Sequence, residues 1–345
     1  MRARDLGLAW GELPPGARNA ITDVPGIRVG HRTRVEGAAI RTGVTAILPH
    51  GGNIFREKLP AAIHVVNGFG KSAGLMQVEE LGEIETPILL TNTFGVPACA
   101  EAIIRHAIAG EPRIGRETST VNPVVMECND GHLNDIQALA VTREDAEAAI
   151  AAAGEAMESG AVGAGTGMSC YGLKGGIGTA SRRLSIDGET FHLGALVLAN
   201  FGRPGDLRLP DGRRIDPRAD RGLGAPPERG SVIVVLATDV PVEGRQLRRV
   251  AARAGAGIAW TGSFWGHGSG DIALAFGTAH RLPHEPEAAF LPPRRALSES
   301  RIDLLFRAAA EATAEAVMDA LAAAGPMEGF AGHRRGALRD LLSAP

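Results

Sequence analysis

An apolar run rich in β-branched residues, Ser231–Asp239, follows a long stretch in which Gly, Pro, Arg and Asp predominate, Gly202–Gly230. The run predicts a buried strand. A stretch as long as the one before it is uncommon inside a compact domain unless it has a function. The chain must therefore fold so that the hydroxyl of Ser231 lies at the first residue of a core strand, directly after a loop.

The junction between the loop and the strand has the composition of a self-cleavage site. Gly230 has no side chain to shield its carbonyl, and glycine tolerates the strained backbone that attack by the next hydroxyl needs. Cleavage would give Ser231 a free α-amine, with a usual pKa of about 7.7–8.0, beside its own hydroxyl. One residue would then supply nucleophile and general base. A Gly–Ser pair is also an ordinary turn exit, so the pair alone leaves both interpretations open.

The composition excludes several classes of protein. The 345 residues, 44% hydrophobic and 22% charged, suit a soluble globular protein of one large or two ordinary domains. A net charge of −3 gives no general attraction to nucleic acid or to an anionic membrane. Three widely spaced cysteines without a CxxC pair favour a reducing compartment over disulfides or a zinc site. Without a signal-like segment or 18 consecutive apolar residues, we expect a cytoplasmic protein.

Short strands and helices are interleaved along the chain. The helices Pro97–Ala109, Thr142–Ser159 and Ser298–Ala324 are predicted from their capping residues and apolar spacing, and Asp187-Gly188 predicts a hairpin turn. The alternations are too few for a (β/α)₈ barrel and favour an α/β sandwich with sheets between helical layers. Strands are predicted at Val44–Leu48, Ala62–Val66, Ile88–Thr91, Val124–Glu127, Leu193–Ala199, Val232–Ala237 and Ile272–Phe276.

Polar residues beside these strands are candidates for catalysis. Ser269 and Asp271 are two residues apart, so on an extended segment they share one side and could orient a proton near a nucleophile. Asn200 ends a strand-like run, where an amide donor suits an oxyanion. Ordinary turn chemistry explains each of the three equally well in isolation.

Three other segments are candidates for binding elements. The segment ECNDGHLND places Glu127, Asp130 and His132 after an apolar strand, where they could hold a substrate amine or form a solvated loop. The glycine-rich segment Gly163–Gly178 has no G-x-G-x-x-G and predicts a backbone-lined turn close to a site. The segment Val65–Gly74 lacks the first glycine of a phosphate loop and favours a tight turn.

Eight segments, in one order from residue 2 to about residue 335, together carry a family resemblance. They are NAITDVPGIRVGH, RTGVTAILPHGGN, ETSTVNPVV, CNDGHLNDI, GAGTGMSCYGLKGGIGTASR, LVLANFG, GSVIVVLATDVP and GSGDIALAF. The chain resembles the self-processing N-terminal-nucleophile aminopeptidases typified by DmpA, an L-aminopeptidase and D-Ala-esterase/amidase, to which the β-peptidyl aminopeptidases are related. The resemblance implies a single αββα sandwich over residues 1–345, cut between Gly230 and Ser231 into residues 1–230 and 231–345. It also implies a homo-oligomer of processed units that needs no metal or organic cofactor.

The resemblance assigns roles to individual residues. Ser231 matches the nucleophile, Asn200 matches the side chain that stabilises the oxyanion, and Ser269 with Asp271 matches the hydroxyl–carboxylate pair behind the nucleophile. At His132 the family pattern has a tyrosine instead, and because imidazole is shorter and titrates near neutral pH, we expect substrate orientation and pH profile to differ. Candidates for binding the substrate are His132, Glu127 and Asp130.

The prediction is a serine hydrolase that releases N-terminal residues from short peptides, amides or esters through an acyl-enzyme on Ser231. Its substrate carries a free amine, which acidic side chains would bind. Two alternatives stay open. One is an acyltransferase of the ornithine acetyltransferase type, which has a related fold and usually a threonine nucleophile. The other is a non-catalytic binding protein that retains the fold.

Overall fold

The structure is a computed structural model that describes residues 1–218 and 229–342. Residues 219–228 of the predicted loop therefore lie outside the described residues. Long strands are β1 (Arg28–Glu36), β2 (Ile40–Leu48), β3 (Glu57–Gly68), β4 (Ile88–Thr91), β5 (Val124–Glu127), β6 (Gly176–Ile186), β7 (Glu189–Asn200), β8 (Arg229–Thr238) and β9 (Gly268–Gly277). Helices are α1 (Leu75–Leu81), α2 (Val96–Gly110), α3 (Arg143–Ala151), α4 (Gly244–Trp260), α5 (Asp303–Ala323) and α6 (Leu338–Leu342).

The strands form two large sheets in the described part of the chain. The first has the order β1-β2-β4-β5, and the second has the order β3-β9-β8-β7-β6, extended at β3 by the two-residue strands Glu83–Ile84 and Leu282–Pro283. The β8–β9 pair is parallel, whereas β7 and β3 run antiparallel to their neighbours β8 and β9. Strand β8, which begins with the Gly–Ser junction, is consequently central and paired on both sides.

Apolar side chains fill three layers. Ile47 and Leu90 of the first sheet meet Leu198, Ile233 and Leu274 of the second in a core between the sheets. A second core lies between the first sheet and helices α2 and α3, and a third lies between the second sheet and helices α4 and α5. The predicted αββα sandwich is therefore confirmed. No helix in the described ranges has the length and apolar character needed to cross a membrane.

Local sequence signals predicted most of these elements. Each of the seven predicted strands is present, and Asp187 and Gly188 form the β6–β7 hairpin turn with φ of 49° and 83°. The two-residue turn requires left-handed backbone, which Asp and Gly adopt more readily than other residues. Helices α2 and α5 agree with prediction to within a few residues at their ends, α5 being preceded by a 3₁₀ turn at Glu299–Arg301.

The prediction of one long helix over Thr142–Ser159 was wrong beyond Ala151. Thr142 does cap α3, since its side chain accepts a hydrogen bond from the Asp145 backbone. After the helix ends, Gly154 exchanges two backbone hydrogen bonds with Val29 of β1, at 2.9 and 3.0 Å. The backbone groups of this segment are therefore satisfied by the edge of a sheet, which competes with continuation of the helix.

Candidate active site

A cavity of about 670 Å³ opens beside the first residues of β8. It is wide enough for a short peptide, within the range typical of small-molecule sites. Five of the sequence-predicted residues line it: Glu127, His132, Asn200, Gly230 and Ser231. Residues that sequence reasoning did not assign to a site also line it, namely Phe69, Lys71, Thr93, Asn129, Ser169, Gly172, Gly202, Arg203, Pro204, Gly268 and Arg335.

Ser231 lies at the start of the central strand, where backbone from both neighbouring strands surrounds it. It pairs with Asn200 of β7 and with Gly270 of β9, and only 4% of its surface is exposed. Its Oγ accepts a hydrogen bond from the Gly270 N–H at 3.2 Å and donates one to the Gly230 carbonyl at 2.5 Å. The hydroxyl is thus held against the carbonyl of the peptide bond that the sequence predicts to be cut.

Gly230 could not be replaced without backbone strain. Its φ is +156°, and a Cβ atom at this position would lie 2.1 Å from the carbonyl oxygen of Asn200. Real Cβ atoms do not approach backbone oxygen so closely, so β7 and the residue before the nucleophile come together only with glycine here. The sequence signal for a special backbone at Gly230 therefore has a direct steric cause.

Ser269 and Asp271 interact with each other as predicted from their spacing. The Ser269 hydroxyl donates to the Asp271 carboxylate at 2.7 Å, and both side chains are buried. Gly270, between them, pairs with Ser231, and because side chains alternate along a strand the two polar residues lie on the opposite face of β9 from Gly270. Neither is among the described residues that line the cavity. The pair therefore lies beside the first residues of β8 and outside the described lining of the cavity.

Asn200 is fixed in orientation by two hydrogen bonds. Its Oδ1 accepts from the Ser169 backbone N–H at 2.9 Å, and its Nδ2 donates to the Asn129 carbonyl at 2.9 Å. An amide nitrogen has two N–H bonds, and among the described residues only one of them is used. The other N–H is available to the cavity next to Ser231. Ser169 belongs to the glycine-rich segment that was predicted to form a backbone-lined turn near a site.

Glu127 presents a buried carboxylate to the cavity. It ends β5, where its Oε1 accepts from the Lys71 backbone N–H at 2.8 Å and its Oε2 accepts from the Thr93 hydroxyl. A carboxylate has further lone pairs for a third partner. The next residue, Cys128, packs its thiol against the Ser231 carbonyl at 3.3 Å, and burial raises the pKa of this thiol well above its usual range. Cys128 therefore stays protonated and offers no competing nucleophile.

Asp130 has a structural position, unlike Glu127. It is 1% exposed, and its oxygens accept from Asn92 at 3.2 Å and Asn134 at 3.0 Å. Burial raises the pKa of Asp130 to about 6 despite these hydrogen bonds. Asp130 is not among the described residues lining the cavity. Its carboxylate is engaged with Asn92 and Asn134 in the interior instead of facing the cavity.

His132 lines the cavity as a neutral imidazole. Its ring stacks on His333 with centroids 4.5 Å apart, and burial, together with the nearby charge of Arg335, lowers the pKa of His132 to about 4. The ring is thus uncharged near neutral pH and does not titrate there, contrary to the expectation from an ordinary histidine. The sole tyrosine, Tyr171, does not take its place in the cavity, because it is fully buried with its hydroxyl bonded to Thr261 at 2.8 Å.

Comparisons with known proteins agree with this geometry. The family model described as peptidase family S58 matches residues 19–335. A β-peptidyl aminopeptidase, BapA of Sphingosinicella microcystinivorans, is 38% identical over 357 residues, which cover 96% of this chain and 88% of that protein. The crystal structure of the PH0078 protein from Pyrococcus horikoshii OT3 has a TM-score of 0.93 and 46% identity, covering 99% of this chain and 98% of that one.

A third similar protein has a described fold class. It is the L-aminopeptidase D-Ala-esterase/amidase of Ochrobactrum anthropi, a prototype for the serine aminopeptidases with a variant of the Ntn hydrolase fold. Its structure has a TM-score of 0.88 and 36% identity, covering 98% of this chain and 95% of that one. The predicted resemblance, the N-terminal-nucleophile hydrolase fold and the hydrolase class are thereby confirmed. The chain belongs to peptidase family S58.

Proposed function

We propose that this protein cuts itself between Gly230 and Ser231 and then acts as a serine aminopeptidase, amidase and esterase on short substrates with a free amine. The observation that carries the proposal is the position of the Ser231 hydroxyl, 2.5 Å from the Gly230 carbonyl oxygen at the edge of a 670 Å³ cavity. Family membership supports the same reading, since the matched relatives bear aminopeptidase names.

Self-cleavage needs only groups that surround the junction. Ser231 Oγ attacks the Gly230 carbonyl carbon, and its proton passes to the Ser231 nitrogen. The C–N bond then breaks, which leaves an ester on Oγ that water hydrolyses. Residues 1–230 leave with a carboxylate, and Ser231 keeps a free α-amine. Because β7 and β9 pair with β8 on both sides, the new N-terminus stays held in the sheet.

In the catalytic cycle, the Ser231 α-amine takes the proton of its own hydroxyl as Oγ attacks the substrate carbonyl. The free N–H of Asn200 Nδ2 and a backbone N–H stabilise the oxyanion. The protonated amine then donates to the leaving group, and water releases the acyl group from Oγ. Ser269 and Asp271 are hydrogen-bonded to each other at 2.7 Å on the neighbouring strand β9. In this proposal they orient the Ser231 α-amine, which lies at the start of the processed β8, paired with β9.

Glu127 binds the free amine of the substrate in this proposal. It supplies a buried carboxylate in a cavity whose other charged lining residues, in the part of the chain that the structure describes, are Lys71, Arg203 and Arg335. Two existing hydrogen bonds, from the Lys71 backbone and Thr93, fix the carboxylate before substrate arrives. An ammonium group placed there gains a charge-assisted hydrogen bond that a water-exposed carboxylate would not give.

We expect Glu127→Gln to lower kcat/KM for amine-bearing substrates roughly 10- to 100-fold, mainly through a higher KM, because the amide keeps the shape but loses the charge. Steady-state kinetics on aminoacyl p-nitroanilides measure this. Glu101→Gln, at an exposed position on α2, is the matched control and should behave as the parent. An unchanged KM in Glu127→Gln would remove Glu127 from amine recognition.

The test of the proposed function combines mass with activity. The purified protein should give two polypeptides, residues 1–230 and 231–345, by intact mass spectrometry. It should also hydrolyse at least one of L-alanyl, D-alanyl and β-alanyl p-nitroanilide, but not N-acetyl-L-alanyl p-nitroanilide, which has no free amine. An uncut chain without hydrolysis would refute the proposal and favour the binding-protein alternative.

The remaining sequence predictions concern assembly, cell compartment and acyl transfer. The three cysteines, Cys99, Cys128 and Cys170, are buried thiols, which supports a reducing, cytoplasmic location. Assembly into a homo-oligomer of processed units remains part of the proposal. The acyltransferase alternative is not favoured, since the matched relatives are named as peptidases and the candidate nucleophile is serine.

A further inference from the structure

Arg335 lines the cavity and is connected to Asn200 through Ser169. It follows Arg334 in a two-residue strand that pairs with Met327–Glu328. Its Nε donates to the Ser169 hydroxyl at 3.2 Å, and the Ser169 backbone in turn holds Asn200. The guanidinium is therefore connected to the candidate oxyanion residue by one intervening side chain.

The charge of Arg335 is unpaired within the described residues. Its other hydrogen bond, at 3.1 Å, goes to the Arg334 carbonyl, and no described carboxylate lies within ion-pair distance. The neighbouring Arg334 is paired with Glu328, and the fully buried Arg182 is paired with two carboxylates. Half-buried in this way, Arg335 has its pKa lowered by burial, although a guanidinium stays charged. A desolvated cation without a partner gains most from an anion brought by a ligand.

A second unsatisfied group lies beside it. The buried Nε2 atom of His132 has no hydrogen-bond partner among the described residues, and the ring is close enough to Arg335 for the arginine charge to lower the pKa of His132. Both side chains line the same cavity. A carboxylate could accept from the planar fork of a guanidinium and from an imidazole N–H together.

Within the described lining, the cavity carries one carboxylate, Glu127, and three cations, Lys71, Arg203 and Arg335. Gly270 pairs with Ser231, and Gly70 lies between Gly270 and Glu127. A Cβ on Gly70 would lie 3.7 Å from Glu127 Oε1 and 3.8 Å from Gly270 Cα. Arg335 is reached through Asn200 and Ser169. A ligand with an amine at one end, a carboxylate at the other and a carbonyl between them matches this arrangement, and 670 Å³ holds only a short one.

We propose that Arg335, assisted by His132, binds the C-terminal carboxylate of the substrate, so that the preferred substrates are zwitterionic dipeptides and tripeptides. The inference rests on the proposed aminopeptidase function and adds the leaving-group side of its specificity. Arg335 touches the substrate but not the reacting atoms, so its contribution appears in substrate choice.

The experiment compares two substrates, a dipeptide that ends in alanine with a free carboxylate and the same dipeptide as its C-terminal amide. Their N-terminal residue is the one whose p-nitroanilide the protein hydrolyses best. The parent should prefer the acid roughly 10- to 100-fold in kcat/KM. Arg335→Gln should bring this ratio close to one by raising KM for the acid. Arg335→Lys, which keeps the charge without the planar fork, should give an intermediate ratio. Arg334→Gln is the matched control and should keep the parent's ratio.

The outcomes separate the two proposals. A parent ratio of one or below overturns the carboxylate site without any variant, while hydrolysis of the nitroanilide leaves the aminopeptidase function standing. An equal fall of kcat for acid, amide and nitroanilide in Arg335→Gln would mean that Arg335 only positions Ser169 and Asn200, which also overturns it. A processed parent that hydrolyses none of the three compounds would instead overturn the aminopeptidase function itself.

Discussion

We expect the Ser231→Ala protein to remain one chain of residues 1–345 and to lose activity on the order of 10⁶-fold in kcat. The substitution removes the attacking oxygen of both self-cleavage and acyl-enzyme formation, and without cleavage it also leaves the nitrogen of Ser231 in a peptide bond, where it cannot act as a base. Intact mass spectrometry and nitroanilide kinetics on the same preparation measure both effects.

Two further variants make the result specific to the Ser231 hydroxyl. Ser185→Ala, at an exposed position on β6, changes the same atoms far from the cavity and should be cut like the parent. Ser231→Cys supplies a different nucleophile at the same backbone position and should be cut, although more slowly. Cleavage of Ser231→Ala between residues 230 and 231 would show that the hydroxyl is not the attacking group.

The core of the site was predictable because it lies within, or directly beside, strongly apolar strands. Ser231, Asn200 and the Ser269–Asp271 pair are all at strand ends, where a period of two fixes which side chains share a face. The sequence indicates a special backbone at Gly230, but its steric cause is the Asn200 carbonyl of the neighbouring strand. Ser231 pairs with Asn200 and with Gly270 because of the strand order in the sheet. That order could not be predicted from the sequence.

Long-range contacts account for what the sequence did not indicate. Arg335 is 166 residues from Ser169, and only the path of the C-terminal segment brings them together. Asp130 was predicted to bind the substrate because it belongs to an acidic cluster after an apolar strand, which could hold a substrate amine. Asn92, from the turn after β4, instead satisfies it in the interior. The same physical reasons apply to any buried polar group whose partners come from distant segments.

Helix α4 was missed because its glycines weaken the local signal. Glycine costs about 1 kcal/mol relative to alanine inside a helix. In the fold, a Cβ on Gly257 would lie 2.3 Å from the Ala310 carbonyl of α5, so the glycine allows the two helices to approach closely. Tertiary packing thus outweighs a propensity that the sequence shows plainly.

The second large effect is expected at Asn200. We expect Asn200→Ala to lower kcat 10²- to 10³-fold with a much smaller change in KM, because an oxyanion donor acts in the transition state. Asn200→Asp distinguishes this role from a structural one. Aspartate keeps the acceptor for the Ser169 N–H but has no N–H of its own, and its charge would oppose an oxyanion. It should be at least as impaired as the alanine variant.

The rates must be divided by the fraction of chain cut, read from intact mass, because self-cleavage also passes through an oxyanion. Retention of parental kcat by the processed Asn200→Asp protein would assign Asn200 to holding Ser169 and would require a different oxyanion donor. A deficit in kcat shared by both variants, in protein that is already cut, would assign the loss to the N–H groups of Nδ2 and not to the acceptor for Ser169, which aspartate keeps. One N–H of Asn200 Nδ2 already donates to the Asn129 carbonyl, so the orientation of the Asn200 amide is set before any substrate binds.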